Sequence, residues 1–269
     1  MASGESINHD PASAIDIRGL SFSYRSQDNS PLILDNISLV VPKGEFIAIL
    51  GISGCGKTTL LHCIAGFVKA QSGQILVNGR SAHGVSENIG FIFQTEALFP
   101  WKTIYKNISS GSRISKLSRR ERTEKVRQVA DKVGILDALD LYPHQLSGGM
   151  AQRAEIARAL ANSPDILLMD EPFSKTDVQT RQSLQFFLQD LWLNLNQTVV
   201  FVTHDVEEAL ILADRIIILS GKPARVGEVI RNPLPRPRTL ASLSEPSFNE
   251  SRMRIMKSLE EDYKRLKLL

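Results

Sequence analysis

Gly51-Ile52-Ser53-Gly54-Cys55-Gly56-Lys57-Thr58 narrows the possible folds of this chain more than any other stretch. The short apolar run at 45–50 ends directly at Gly51, and residues 58–65 carry Leu60, Leu61 and Ile64 at helix-compatible spacing. A strand turning through a glycine-rich loop into a helix is the context in which GxxxxGK[ST] spacing binds phosphate. The glycines let backbone N–H groups wrap an anion, Lys57 brings positive charge, and the Thr58 hydroxyl suits a magnesium ion.

The rest of the chain reads as layers around that unit. Residues 15–24 and 32–41 are predicted strands of a small antiparallel sheet, with a polar turn at 25–30 and a Pro42-Lys43-Gly44 break after them. Further strands are expected at 73–78, closed by Asn78-Gly79, and at 89–93. A charged helix is expected at 118–133, opening with a Ser118/Glu121 capping box, inside a helical subdomain of about residues 95–163. Met150, Ala154, Ala157 and Ala161 recur at helical spacing, placing Gly148-Gly149 at a helix N-terminus. The runs at 166–169, 199–202 and 216–219 have the Val/Ile/Leu texture of buried parallel strands alternating with helices. The expected class is α/β: a P-loop NTPase core with a mixed, mainly parallel sheet, an antiparallel β-subdomain and a helical subdomain. Residues 13–230 form the expected nucleotide-binding domain, and 231–269 a basic, proline-containing connector with one terminal helix at 247–268.

Asp170 and Glu171 end an apolar strand, where the carboxyl edge of such a sheet binds ligands. Asp170 suits the magnesium shell, and Glu171 suits the orientation or polarisation of an attacking water in phosphoryl transfer. A second glycine turn, Leu146-Ser147-Gly148-Gly149-Met150, offers a hydroxyl and amide groups at a helix N-terminus, which is again an anion site.

This second turn resembles the signature of the ABC-type ATPases, and the resemblance extends over residues 15–229 with the motifs in the family's order. It implies ATP and Mg²⁺ as ligands. Nucleotide contacts would come from Gly51, Ser53, Gly54, Cys55, Gly56, Lys57, Thr58 and Thr59, with Tyr24 stacked on adenine. Gln94 would sense Mg²⁺ and the attacking water, and His204 would contact the γ-phosphate. Catalysis would rest on Glu171, His204, Lys57 and Gln94, and metal binding on Thr58, Gln94 and Asp170. Ser147, Gly148, Gly149 and Asp177 would serve the nucleotide of a second ATP-binding subunit, identical or not, packed head to tail. Two departures stand out: Met150 where the family most often has Gln, and Lys175-Thr176 where it usually has Ala-Leu. Lys175 would fall at the dimer interface and alter communication between sites or favour a non-identical partner.

Residues 97–101 (Ala-Leu-Phe-Pro-Trp), with Asp170-Glu171-Pro172-Phe173 and Val178-Gln179-Thr180-Arg181, resemble importer subunits for nitrate, sulfonate and taurine. That implies a separate transmembrane permease, an extracytoplasmic solute-binding protein and a peripheral place on the cytoplasmic face of the cell membrane. Leu98, Phe99 and Trp101 read either as a surface groove for the permease or as core. The alternative is a soluble ABC ATPase of the DNA-repair or translation type, which usually carries a long coiled-coil insertion or two fused units.

Composition excludes several other classes. With 269 residues and a net charge of +3, basic and acidic side chains interleave, so no nucleic-acid partner is implied. Neither cysteine, Cys55 or Cys63, sits at zinc or redox spacing, which suits a reducing compartment. The N-terminus lacks the apolar centre of a secretory signal, and no apolar run approaches the roughly 20 residues that span a bilayer.

Overall fold

The computed structural model describes residues 13–24, 31–82, 84–95 and 97–267; the turn expected at 25–30 lies outside them. In chain order the elements are β1 (Ser13–Phe22), β2 (Leu34–Pro42), β3 (Phe46–Gly51), α1 (Lys57–Ala65), β4 (Ser72–Val77), β5 (Arg80–Ser81) and β6 (Ile89–Ile92). A helical stretch follows: α2 (Ile104–Ile108), α3 (Ser112–Ser115), α4 (Arg119–Lys132) and α5 (Gly148–Leu160). The chain then alternates through β7 (Ile166–Asp170), α6 (Val178–Leu195), β8 (Thr198–Val202), α7 (Val206–Leu212), β9 (Arg215–Ser220) and β10 (Arg225–Arg231), and ends in α8 (Pro246–Lys267).

Two sheets result. The smaller is antiparallel, in the order β2-β1-β4-β5. The larger runs β10-β9-β3-β8-β7-β6, parallel throughout except for the antiparallel β10 edge. Its central strands are apolar on both faces because both faces are covered. Along β3, Phe46, Ala48 and Leu50 join the core under the helical part, while Ile47 and Ile49 join the core under α1 and the small sheet. β7 divides the same way, with Leu167 and Met169 on one side and Ile166 and Leu168 on the other.

Local signals fix several helix ends. Ser118 Oγ accepts from Glu121 N at 3.3 Å, and Glu121 Oε2 accepts from Ser118 N at 3.0 Å, completing the expected capping box of α4. α5 begins at Gly148 with Ser147 as its cap, and it stops at Leu160, one turn short of Pro164.

The connector after β10 is tied to the body. Asn232 Nδ2 donates to Leu210 O and Ala213 O, each at 2.8 Å, and Arg236 donates to Leu212 O. Arg238, only 2% exposed, donates to Ile211 O at 3.1 Å and Ala213 O at 3.0 Å. Burial lowers its guanidinium pKa to about 10. These side chains satisfy the carbonyls that the end of α7 leaves open, and guanidinium groups suit a helix C-terminus. Along α8, Phe248 and Ile255 enter the core and Asp262 Oδ1 accepts from Gly221 N at 3.0 Å. Among the described residues no helix is long and apolar enough to cross a membrane.

Candidate functional site

Four neighbouring strands of the large sheet bring candidate residues to its carboxyl edge. β3 ends at Gly51, β7 at Asp170 and β8 just before Thr203 and His204, while Gln94 lies two residues beyond β6. These strands are neighbours in the order β3-β8-β7-β6. Residues more than a hundred positions apart therefore converge on one cleft of about 730 Å³, lined among others by Tyr24, Ser53, Lys57, Gln94, Glu171 and His204. Gly54, Gly56, Thr58 and Thr59 also line it, and so does Ile33, which the motifs did not point to.

The loop geometry depends on its glycines. A Cβ at Gly51 would stand 2.8 Å from both Cys55 Sγ and Leu219 O, and Gly54 and Gly56 have φ of +73° and +112°. Gly56 caps α1 without a side-chain bond, so the helix starts with backbone N–H groups facing the cleft. Lys57 Nζ, nearly buried, donates to Gly51 O at 2.9 Å and Ile52 O at 3.2 Å. Cys55 and Thr59 are buried in the loop and the first turn of α1, and Thr59 Oγ1 shares a 3.3 Å hydrogen bond with Tyr24 Oη. The Tyr24 ring stands edge-on to Phe22 at 5.0 Å and is 60% exposed.

Thr58 Oγ1 donates to Asp170 Oδ1 at 3.1 Å. Burial holds the Asp170 carboxyl above its usual range, against the Thr58 hydrogen bond and with support from the Glu171 charge. A hydroxyl and a carboxylate oxygen side by side suit a hard cation such as Mg²⁺. Among the described residues no three His, Cys, Asp or Glu side chains gather as a metal cage.

Glu171 is the hub of the far wall. Its Oε2 accepts from Gln94 Nε2 at 3.3 Å and lies 2.9 Å from His204 Nδ1. Its backbone has φ of +43°, a left-handed conformation that is uncommon outside glycine. The peptide is held there by Glu171 N donating to Val202 O at 2.9 Å. Behind His204 lies a group that sequence reasoning missed. Glu208, 4% exposed, accepts from the Thr203 hydroxyl at 2.6 Å and from Gln185 Nε2 at 3.3 Å. Asp205 accepts from Glu207 N at 2.8 Å and caps α7. Their signal is faint, because Asp205-Val206-Glu207-Glu208 reads as an ordinary acidic first turn.

The remaining expected residues stand elsewhere. Ser147 accepts from Met150 N at 3.3 Å, and Ser147 and Gly149 share a shallow depression with Thr180, away from the phosphate loop. Asp177 caps α6 by accepting from Thr180 N at 3.0 Å, and that hydrogen bonding lowers its carboxyl pKa. Met150 packs against the core, Lys175 is exposed, and Thr176 Oγ1 donates to Phe173 O at 2.8 Å. Of the aromatic stretch, Leu98 is core, while Trp101 is 71% exposed beside Phe99, whose ring also carries Lys102 Nζ at 4.2 Å.

Residues 34–174 match the family described as ABC transporter. An uncharacterised ABC transporter ATP-binding protein of Methanocaldococcus jannaschii is 41% identical over 246 residues, 91% of each chain. The aliphatic sulfonates import ATP-binding protein SsuB of Bacillus cereus is 40% identical over 248 residues, covering 91% of this chain and 96% of that one. Among solved structures, cbiO1 of Clostridium perfringens, part of the ABC transporter complex cbiONQ, superposes with a TM-score of 0.74 at 28% identity, over 82% of this chain and 89% of that one. A dimeric ATP-binding cassette in a post-hydrolysis state, bound to ADP and Pi, gives 0.70 at 30% identity, over 81% and 98%. With relatives of nearly equal length at this identity, and a family match running from β2 past the two acids, the chain belongs to the ABC transporter ATP-binding family.

Proposed function

We propose that this ATPase energises uptake of a small sulfonate-, taurine- or nitrate-like solute through a separate transmembrane permease, acting as one of a pair of such subunits on the cytoplasmic face of the membrane. An extracytoplasmic solute-binding protein completes the complex. Support for import comes from the sulfonate-import name of a relative that matches nearly end to end.

The single observation that carries the catalytic reading is the Glu171 carboxylate, which receives Gln94 and faces His204 across the cleft from Lys57 and Thr58. In this reading ATP lies with its adenine on the exposed Tyr24 ring and its phosphates on the N–H groups of the loop and the start of α1. Lys57 exchanges the carbonyls of Gly51 and Ile52 for phosphate oxygens. Thr58, Asp170 and Gln94 would hold Mg²⁺, which when bound neutralises charge on the phosphates. Glu171 orients the attacking water and draws on its proton, and His204 fixes the carboxylate and reaches the terminal phosphate. Ser147, Gly148, Gly149 and Asp177, which lie outside this cleft, serve the nucleotide of the second subunit.

Glu171→Gln tests the assignment: ATP binding persists, hydrolysis falls by about 10²–10⁴-fold, and an ATP-bound dimer accumulates in size-exclusion chromatography. Normal turnover in that variant removes Glu171 from its role. For the permease, Trp101→Ala should leave ATPase activity intact and reduce co-purification of the membrane chain; undiminished co-purification counts against that surface.

A further inference from the structure

A second concavity, of about 530 Å³, opens at the opposite end of the large sheet, where β7 and β8 begin. One wall is α4, presenting Lys125, Val129 and Lys132. The other is the chain entering the strands: Lys43 and Gly44 ahead of β3, Asp165 ahead of β7, and Asn196 to Thr198 leading into β8. The pocket thus joins the helical part to the sheet, and none of its lining is shared with the nucleotide cleft.

Its charge is unbalanced. Three lysines line it against one acidic residue, Asp165, whose Oδ2 accepts from Asn78 Nδ2 at 3.0 Å. Among the described residues, none of Lys43, Lys125 and Lys132 has an ion-pair or hydrogen-bond partner. Elsewhere basic groups near acids are paired, as Lys116 is with Glu87 and Arg215 with Glu45. A concave wall with an excess of one sign of charge focuses the local potential, so such a pocket draws an anion. Ser163, Asn196 and Gln197 add neutral polar groups to its lining.

We propose that this pocket is a binding site for a small doubly charged oxyanion of the phosphate class, held between Lys125 and Lys132 on α4 and Lys43 on the strand side. Bound there, the anion links α4 to the starts of β3 and β8 at the end of the sheet remote from ATP.

The test uses the full chain with Mg²⁺ and a saturating non-hydrolysable ATP analogue, so that the phosphate loop is filled, at constant ionic strength. Inorganic phosphate is the probe, read by thermal unfolding and hydrogen exchange. The expected result is saturable stabilisation, with slowed exchange in residues 125–132 and 195–198. Lys125→Gln with Lys132→Gln should raise Kd by at least about tenfold, the scale of one lost charge-assisted hydrogen bond. Glutamine keeps helix propensity, so the double variant remains folded, and Lys102→Gln serves as a neutral-site control that leaves Kd unchanged. An unchanged Kd in the double variant, protection confined to residues 51–58, or a linear response shared by all variants overturns the proposal.

Discussion

Glu208 offers a sharp test of how the His204 loop is held. Its carboxylate accepts from the Thr203 hydroxyl at 2.6 Å and from Gln185 Nε2 at 3.3 Å. Replacing it with Ala strips acceptors from two buried donors. The short bond is worth about 1.5–3 kcal/mol and the longer one about 1 kcal/mol. Part of that is offset, because burial, the largest influence on this carboxyl, holds its pKa above the usual range and marks a buried charge as a cost. The net expectation for Glu208→Ala is a loss of about 2–3 kcal/mol, or about 4–12 °C in Tm for a chain of this size. Glu208→Gln keeps the volume and one acceptor and should lose about 1 kcal/mol. Since the raised pKa favours the protonated form in the fold, the wild-type contribution is complete below the unfolded value and declines as pH rises through the folded one. The stability gap between wild type and Glu208→Gln is therefore widest at acid pH and narrows toward alkaline pH. Urea denaturation across that range, with ATPase rates alongside, reads both effects. A loss below about 1 kcal/mol for the Ala variant, or a gap that widens with pH, refutes the reasoning.

Three other outcomes are expected. Gly51→Ala forces a Cβ against Leu219 O and Cys55 Sγ, so nucleotide affinity should fall sharply in a fluorescent-nucleotide titration, with a stability loss of about 1–3 kcal/mol; unchanged affinity contradicts the close approach. Cys63, whose thiol is pushed up to about 12 by burial, should resist iodoacetamide at pH 8 in the folded chain and label once denatured; equal labelling rates in both states sink this. Asp170→Asn should weaken Mg²⁺-dependent ATP binding while leaving metal-free nucleotide binding near wild type, measured by calorimetry; a metal-independent loss would reassign Asp170 to the loop.

What could be read from the chain beforehand was whatever is encoded locally. The capping box at Ser118 and Glu121, the strand that runs into Gly51 and the two acids after Met169 each carry their meaning within a few residues. β10 was not foreseen, because Arg225–Arg231 buries little beyond Ile230 and pairs only through its β9 neighbour. The convergence of Gln94, Glu171 and His204 rests on a strand order that no spacing reveals, so those residues were joined only by resemblance to a family. Glu208 and Thr203 escaped notice for a different reason: their pairing is a consequence of burial, and an acid in the first turn of a helix has an ordinary exposed explanation.

The connector that follows β10 has a mechanical consequence. α7 has seven residues, too few to persist as a helix unaided, and it begins two positions beyond His204. It is slung like a short span between two abutments, Asp205 at one end and the side chains of Asn232, Arg236 and Arg238 at the other. Trimming the chain after Arg231 would leave the far abutment missing. The footing of His204 thus depends partly on the connector beyond β10, and a cut or partner that displaces Asn232, Arg236 and Arg238 would loosen that wall of the cleft without touching it.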